Sequence, residues 1–104
     1  MIIDHRTYVI QHGRNGEYLK LFETEGLPVQ LKHLGNLIGY FETTMGPLNQ
    51  VVHLWGYTDL ADMERRRQAR DADPAWTAYK KKSAGMLVHQ ENKIIKPVAF
   101  SPLK

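Results

Sequence analysis

The run from Asn49 to Tyr57, reading Asn-Gln-Val-Val-His-Leu-Trp-Gly-Tyr, constrains the fold of this chain more than any other stretch. Its β-branched and aromatic residues suit a pleated strand. Alternation places Asn49, Val51, His53, Trp55 and Tyr57 on one side, and Val52 and Leu54 on the other. Both sides are apolar, whereas an antiparallel sheet open to water on one side alternates apolar with polar. Both faces of the sheet built on this strand therefore need cover.

The flanking chain supplies that sheet and one layer of helices. Residues 2–10 are rich in β-branched and aromatic types and read as a first strand, with Ile2, Asp4, Arg6, Tyr8 and Ile10 on one face. Asn15 is placed to cap a helix whose apolar positions are Leu19, Phe22, Leu31 and Leu34. Pro28 disfavours the α region for Leu27, so a kink is expected before that helix ends near Gly35. Leu37 to Thr44 reads as a second strand, with Ile38 and Tyr40 on one side and Leu37 and Phe41 on the other. Residues 45–48 turn it into the central run as a hairpin.

Thr58 or Asp59 caps the next helix, whose inward face is set by Leu60 and Met63. Asp73-Pro74 starts a further segment, aspartate at the N-cap and proline in the first turn, with Trp76 and Tyr79 on one face. Gly85 ends it, and a last strand falls between Met86 and Phe100. The order β-α-β-β-α-β is the ferredoxin-like arrangement, an α+β fold whose four-stranded antiparallel sheet carries its helices on one face.

A chain of 104 residues is one domain, residues 1–104. Its 42% hydrophobic and 24% charged residues are ordinary for a globular protein. No apolar run approaches the roughly 18 residues that a membrane span needs. The N-terminus enters strand-like sequence directly, without the pattern of a signal peptide, so a cytoplasmic protein is expected. The absence of cysteine removes disulfides, thiolate metal sites and cysteine nucleophiles. A net charge of +3 suits an anionic ligand but is too weak to imply nucleic acid.

Few residues carry recognisable chemistry. His53 can act as a general base or a haem ligand, or can be a core histidine bonded to a neighbouring strand. Arg6 and Tyr8 share a strand face: Arg6 offers a fork for a carboxylate or phosphate and Tyr8 an oxyanion donor, if that face opens to a pocket. Arg67 follows Met63 by one turn, which makes it an anion clamp or a structural ion pair. Gln90, with Glu91 and Asn92, forms a pocket wall or a subunit contact. The histidines at 5, 12, 33, 53 and 89 have no metal-ligand spacing, and no phosphate-binding loop or nucleophile elbow occurs. The runs Arg65-Arg66-Arg67 and Lys80-Lys81-Lys82 read as solvated helix faces.

Several stretches resemble the NIPSNAP family: Glu25-Gly26-Leu27-Pro28-Val29-Gln30, Leu37-Ile38-Gly39-Tyr40-Phe41, and the long segment from Gly46 to Trp55. To these add Arg65-Arg66-Arg67, Asp73-Pro74 with Trp76, Gln90-Glu91-Asn92 and Phe100-Ser101-Pro102, so that the resemblance spans nearly the whole chain. It implies a dimeric α+β barrel, in a superfamily that holds cofactor-free monooxygenases, haem proteins and small-molecule isomerases. The family has no single agreed reaction. Its mitochondrial animal members act partly through interactions, and no counterpart of their targeting presequence is expected here.

Three functions follow as expectations. One is an enzyme for cofactor-free oxidation or isomerisation of an aromatic or polyketide-like compound. Its pocket would lie between sheet and helices, lined by His53, Trp55, Tyr40 and an arginine, with Asn49 nearby. Another is a non-catalytic module for a small organic or anionic ligand or a protein partner. A haem binder using His53 or His89 is the third. The apolar sheet faces call for a homodimer.

Overall fold

A computed structural model describes residues 1–104. The central run forms strand β3, Gln50–Tyr57, and its alternation is plain in its burial: Val51, His53, Trp55 and Tyr57 are all enclosed. Strand β1, Ile2–Ile10, lies beside it, with β2, Asn36–Glu42, on one flank and β4, Leu87–Ile95, on the other. The sheet order β2-β3-β1-β4 is antiparallel throughout, as the ferredoxin-like arrangement requires. Helices α1 (Asn15–Leu21), α2 (Leu27–His33), α3 (Leu60–Asp71) and α4 (Pro74–Ser83) form the second layer. No helix is long and apolar enough to cross a membrane.

The expected kink takes the form of a π turn at Phe22–Gly26, joining α1 to α2. The enclosed residues Tyr18, Phe22, Gly26, Gln30 and Leu34 recur every fourth position. An α-helix advances roughly 100° per residue, so a fourth-residue row drifts by roughly 40° at each step. The wider π turn takes up that drift and keeps the row against the sheet. Leu31, read as an inward position, lies beside this row and is 43% exposed. Asn15 is not the cap: it is the first helical residue, and Arg14 before it makes no side-chain capping bond.

Gly26 lets the rings of Phe22 and Tyr79 meet the helix backbone. A Cβ there would lie 2.7 Å from Phe22 Cδ1 and 2.9 Å from the Tyr79 ring. Gly26→Ala is therefore expected to destabilise by about 1–3 kcal/mol through overpacking. In an open helix the same change would stabilise by up to roughly 1 kcal/mol. The sign of the shift in denaturant midpoint decides between the two.

Asp59 caps α3, accepting from the Asp62 backbone N–H at 2.8 Å. Asp73 caps α4, accepting from Ala75 N–H at 2.9 Å. Asp73 Oδ2 also meets His33 Nε2 at 2.8 Å, tying the end of α2 to the start of α4. Leu60, taken as inward, is 58% exposed. As the first residue of α3 it sits ahead of the packed stretch, whose enclosed residues are Asp62 and Arg70.

Strand β2 also departs from simple alternation. A bulge at Ile38 leaves Leu37 opposite Trp55 and Tyr40 opposite His53, so Leu37 and Tyr40 share the helix-covered face. Phe41, opposite Val52, is left on the far face. Asn49 lies outside β3, in the preceding turn, with φ of 65° and its carbonyl accepting from Ile10 N–H.

Two clusters fill the space between sheet and helices. One holds Phe22, Leu34, Trp55, Tyr57 and Tyr79, and the other Ile10, Tyr18, Val51 and Met86. Tyr40 packs against both, next to His53.

Candidate functional site

His53 is 1% exposed, and its surroundings fix both its orientation and its proton. Trp55, two residues on and so on the same strand face, donates its indole N–H to His53 Nδ1 at 2.8 Å. An Nδ1 that accepts leaves the ring proton on Nε2. Tyr40 stacks on the imidazole at 4.5 Å with planes 15° apart, and Tyr8 meets it edge-on at 4.7 Å. The buried Nε2 has no protein partner. Burial, and then the Arg6 guanidinium, push the His53 pKa down to about 3, against the opposing pull of Asp4. His53 is thus a neutral donor at physiological pH.

The imidazole lines a cavity of about 250 Å³ between the sheet and the helices. Tyr8, His53, Leu87 and Gln90 form its sheet side, and Tyr18, Phe22, Gln30, Trp76 and Tyr79 its helix side. Lys80, Ser83 and the loop Ala84-Gly85 complete its rim. Burial raises the pKa values of the Tyr18, Tyr40 and Tyr79 phenols, which therefore stay protonated. The Trp76 indole N–H, like His53 Nε2, is buried without a partner. A buried donor left unpaired costs about 1–3 kcal/mol, and a ligand oxygen would recover that.

Arg6 and Tyr8 do come together. Arg6 Nε–H donates to the Tyr8 hydroxyl at 2.8 Å, and Nη1 to Asp4 Oδ2 at 3.0 Å. Asn92 donates to the other Asp4 oxygen at 2.9 Å. The guanidinium fork is thus engaged within the sheet, and Arg6 stays off the cavity wall. Its effect falls on Tyr8: a phenol that accepts from a cation keeps its own O–H to give, and gives it more strongly.

The other candidates separate. Gln90 lines the cavity beside Tyr8, its partner in the β1–β4 ladder. Trp55 and Tyr40 hold His53 without lining the cavity. Asn49 serves the hairpin turn. Arg67 is half-buried on the outer side of α3, away from His53. The enclosed arginine of that helix is Arg70, 8% exposed, with its guanidinium 4.6 Å over the Trp76 ring and Nη1 donating to Gln30 Oε1 at 3.3 Å. Arg70 follows Met63 by two turns and so shares its face, but its partner Gln30 lies 40 residues away and carries no spacing signal. A wider hollow of about 530 Å³ by Met1 and Asn36 has its charged groups, Asp62 and Arg66, already paired at 2.8 Å.

Haem does not fit this site. The nitrogen that would need a free lone pair, Nε2, carries the ring proton. The cavity of about 250 Å³ falls below the roughly 300–1,000 Å³ of pockets that take drug-sized ligands. His89 is no substitute: its side chain is 62% exposed on the edge strand β4.

Comparison with known proteins gives this geometry a family. A NIPSNAP family model matches residues 3–102. A NipSnap homolog from Dictyostelium discoideum is 34% identical over 89% of this chain, which spans 41% of that relative's length. The crystal structure of a NIPSNAP family protein from Agrobacterium tumefaciens is 45% identical, covers 99% of this chain and 98% of its own, and superposes with a TM-score of 0.96. An uncharacterized NIPSNAP-like domain protein from Burkholderia xenovorans is 48% identical, covers 97% of this chain and 88% of its own, and has a TM-score of 0.91. On the match from residue 3 to residue 102 and these likenesses in sequence and fold, the chain belongs to the NIPSNAP family.

Proposed function

We propose that this domain binds a small, one-ring organic molecule in the cavity between sheet and helices, gripping a carbonyl or phenolic oxygen. The observation that carries this reading is the His53 Nε2–H, buried, oriented by Trp55 and without a protein partner. Tyr8, supported by Arg6, and Trp76 supply further donors on the wall. Aromatic walls with a few placed donors are the usual form of a small-molecule pocket. Such donors also stabilise negative charge that develops on oxygen, as an enolate or phenolate would require. The cavity wall carries no carboxylate, and His53 already holds its proton, so the site is equipped to bind and polarise rather than to abstract protons.

Titration of para-hydroxyacetophenone into isotope-labelled protein tests this. The two tryptophans give two indole N–H signals. The Trp76 signal is expected to move saturably, and His53→Phe to weaken binding by roughly tenfold or more, the scale of one lost buried hydrogen bond. Binding of equal strength in a cooperatively folded His53→Phe would sink the reading.

A second copy of the chain is part of the same proposal. The helices cover one face of the sheet only, and the molecule is flat, with extents of 41 × 36 × 19 Å. The uncovered face carries Val9, Val52, Leu54 and Phe41, the last 55% exposed. Beyond β4, Phe100 is 90% exposed. The sheet-face side chains form an apolar strip along β3, flanked on β1 and β4 by His5, Thr7, Glu91 and Lys93, and such a strip favours a two-fold, self-complementary contact.

A further inference from the structure

The inner cavity has an outer neighbour. A shallow hollow of about 540 Å³ lies between α3 and α4, bordered by Arg67, Arg70 and Asp71 on one side and by Trp76, Lys80 and Lys81 on the other. Trp76, Lys80 and Ala84 border both spaces, so the two adjoin along α4. The hollow gathers four cationic side chains against one carboxylate, Asp71, which Arg70 already holds at 2.9 Å. Lys82, on the same helix, is paired with Glu25 at 2.7 Å, whereas Arg67, Lys80 and Lys81 have no carboxylate partner. This unpaired cationic cluster adjoins Trp76, whose buried indole N–H has no protein partner. The Arg70–Trp76 stack, with Gln30 behind it, holds that indole in place.

We propose that the two spaces form one extended site for an aromatic carboxylate. The ring occupies the inner cavity among Phe22, Trp76 and Tyr79, and its oxygen substituent meets His53 Nε2–H. The carboxylate arm passes Lys80 and is held in the outer hollow by Arg67 and Lys80. Arg67, with its planar fork, suits two-point recognition of a carboxylate, and Lys80 supplies a point charge. This inference rests on the inner cavity being a ligand site.

Calorimetric titration of para-coumarate and of its methyl ester, at low salt, tests the two ideas separately. The acid is expected to bind roughly tenfold tighter than the ester, the scale of a charge-assisted contact. Arg67→Gln and Lys80→Gln should each erase most of that difference by weakening the acid alone. His53→Phe should weaken both probes. Equal binding of acid and ester, with His53→Phe still weakening both, overturns the carboxylate arm and leaves the inner cavity reading standing. Binding of neither probe, or binding untouched by His53→Phe, overturns both.

Discussion

In sedimentation velocity at micromolar concentration the chain is expected to run at twice its own mass, and Leu54→Glu to return it to one. Leu54 lies near the middle of the uncovered sheet face, opposite His5 on β1 and Gly39 on β2. Val52, one pair along, faces Thr7 and Phe41. An interface made of such a face resembles a bisected core and should bury roughly 2,000 Å² or more. Putting a carboxylate at its centre forces a charge out of water without a partner, which costs several kcal/mol or expels the partner subunit. Raising the salt concentration should leave the wild-type dimer in place, since the strip along β3 at its centre is apolar. A wild-type monomer would remove the dimer from the proposal. A Leu54→Glu chain that kept the doubled mass would move the interface elsewhere.

Stability is expected to fall on acidification by about 1.4 kcal/mol per pH unit across the range in which His53 alone differs between folded and unfolded chains. Its pKa stands at about 3 in the fold, against an ordinary 6.5. Between those values the unfolded chain binds a proton that the folded chain refuses, so stability rises with pH through this window and is lost as pH falls. Above about pH 6.5 the group contributes no slope. The lowered carboxylates Glu17, Asp62 and Asp73 act in the same direction, but only below about pH 5, where the unfolded chain's carboxylates take up protons that the folded ones refuse. His53→Asn keeps an acceptor for the Trp55 indole and does not titrate. Urea midpoints at fixed protein concentration, from about pH 7 to about pH 5, should therefore fall for the wild type and stay nearly level for His53→Asn. Parallel slopes would show that His53 is not the buried neutral group described here.

The parts of this fold that could be read from sequence are those set by near neighbours. Period-two alternation put Val51, His53, Trp55 and Tyr57 together, because strand neighbours two apart share a face whatever the tertiary context. The Asp73-Pro74 helix start is local chemistry and needed no partner. His53, Tyr8 and Gln90 could be named as candidates because alternation sets strand faces, but which sheet face meets a cavity could not be read from the alternation. On the helix side, Phe22, Trp76 and Tyr79 followed from helical spacing, whereas Tyr18 and Gln30 did not. Tyr18, Phe22 and Gln30 follow a fourth-residue row that only a π turn can keep facing the sheet. Leu31 and Leu60 were misplaced because apolar character alone sets neither the phase of a helix nor where its packed stretch begins. Arg70 was passed over for Arg67 because the face was phased on Leu60, which proves exposed; phased on Met63, the i+7 position is Arg70, although its partners Gln30 and Trp76 are brought there by tertiary structure.

The π turn also says something about chain length. A π turn is what an α-helix becomes when it takes in one additional residue while both of its ends are held. Remove an exposed residue such as Thr24 on paper, and Tyr18, Phe22, Gln30 and Leu34 fall at spacings of four, seven and four. That is the ordinary rhythm of an unbroken α-helix, with every one of those side chains still against the sheet. Deletion of a single residue at this turn is thus nearly silent for the cavity. The same change elsewhere in α1 or α2 rotates everything beyond it by roughly 100° and carries Gln30 off the wall. Where members of the family differ in length by one residue along this helix, the gap belongs at Phe22–Gly26.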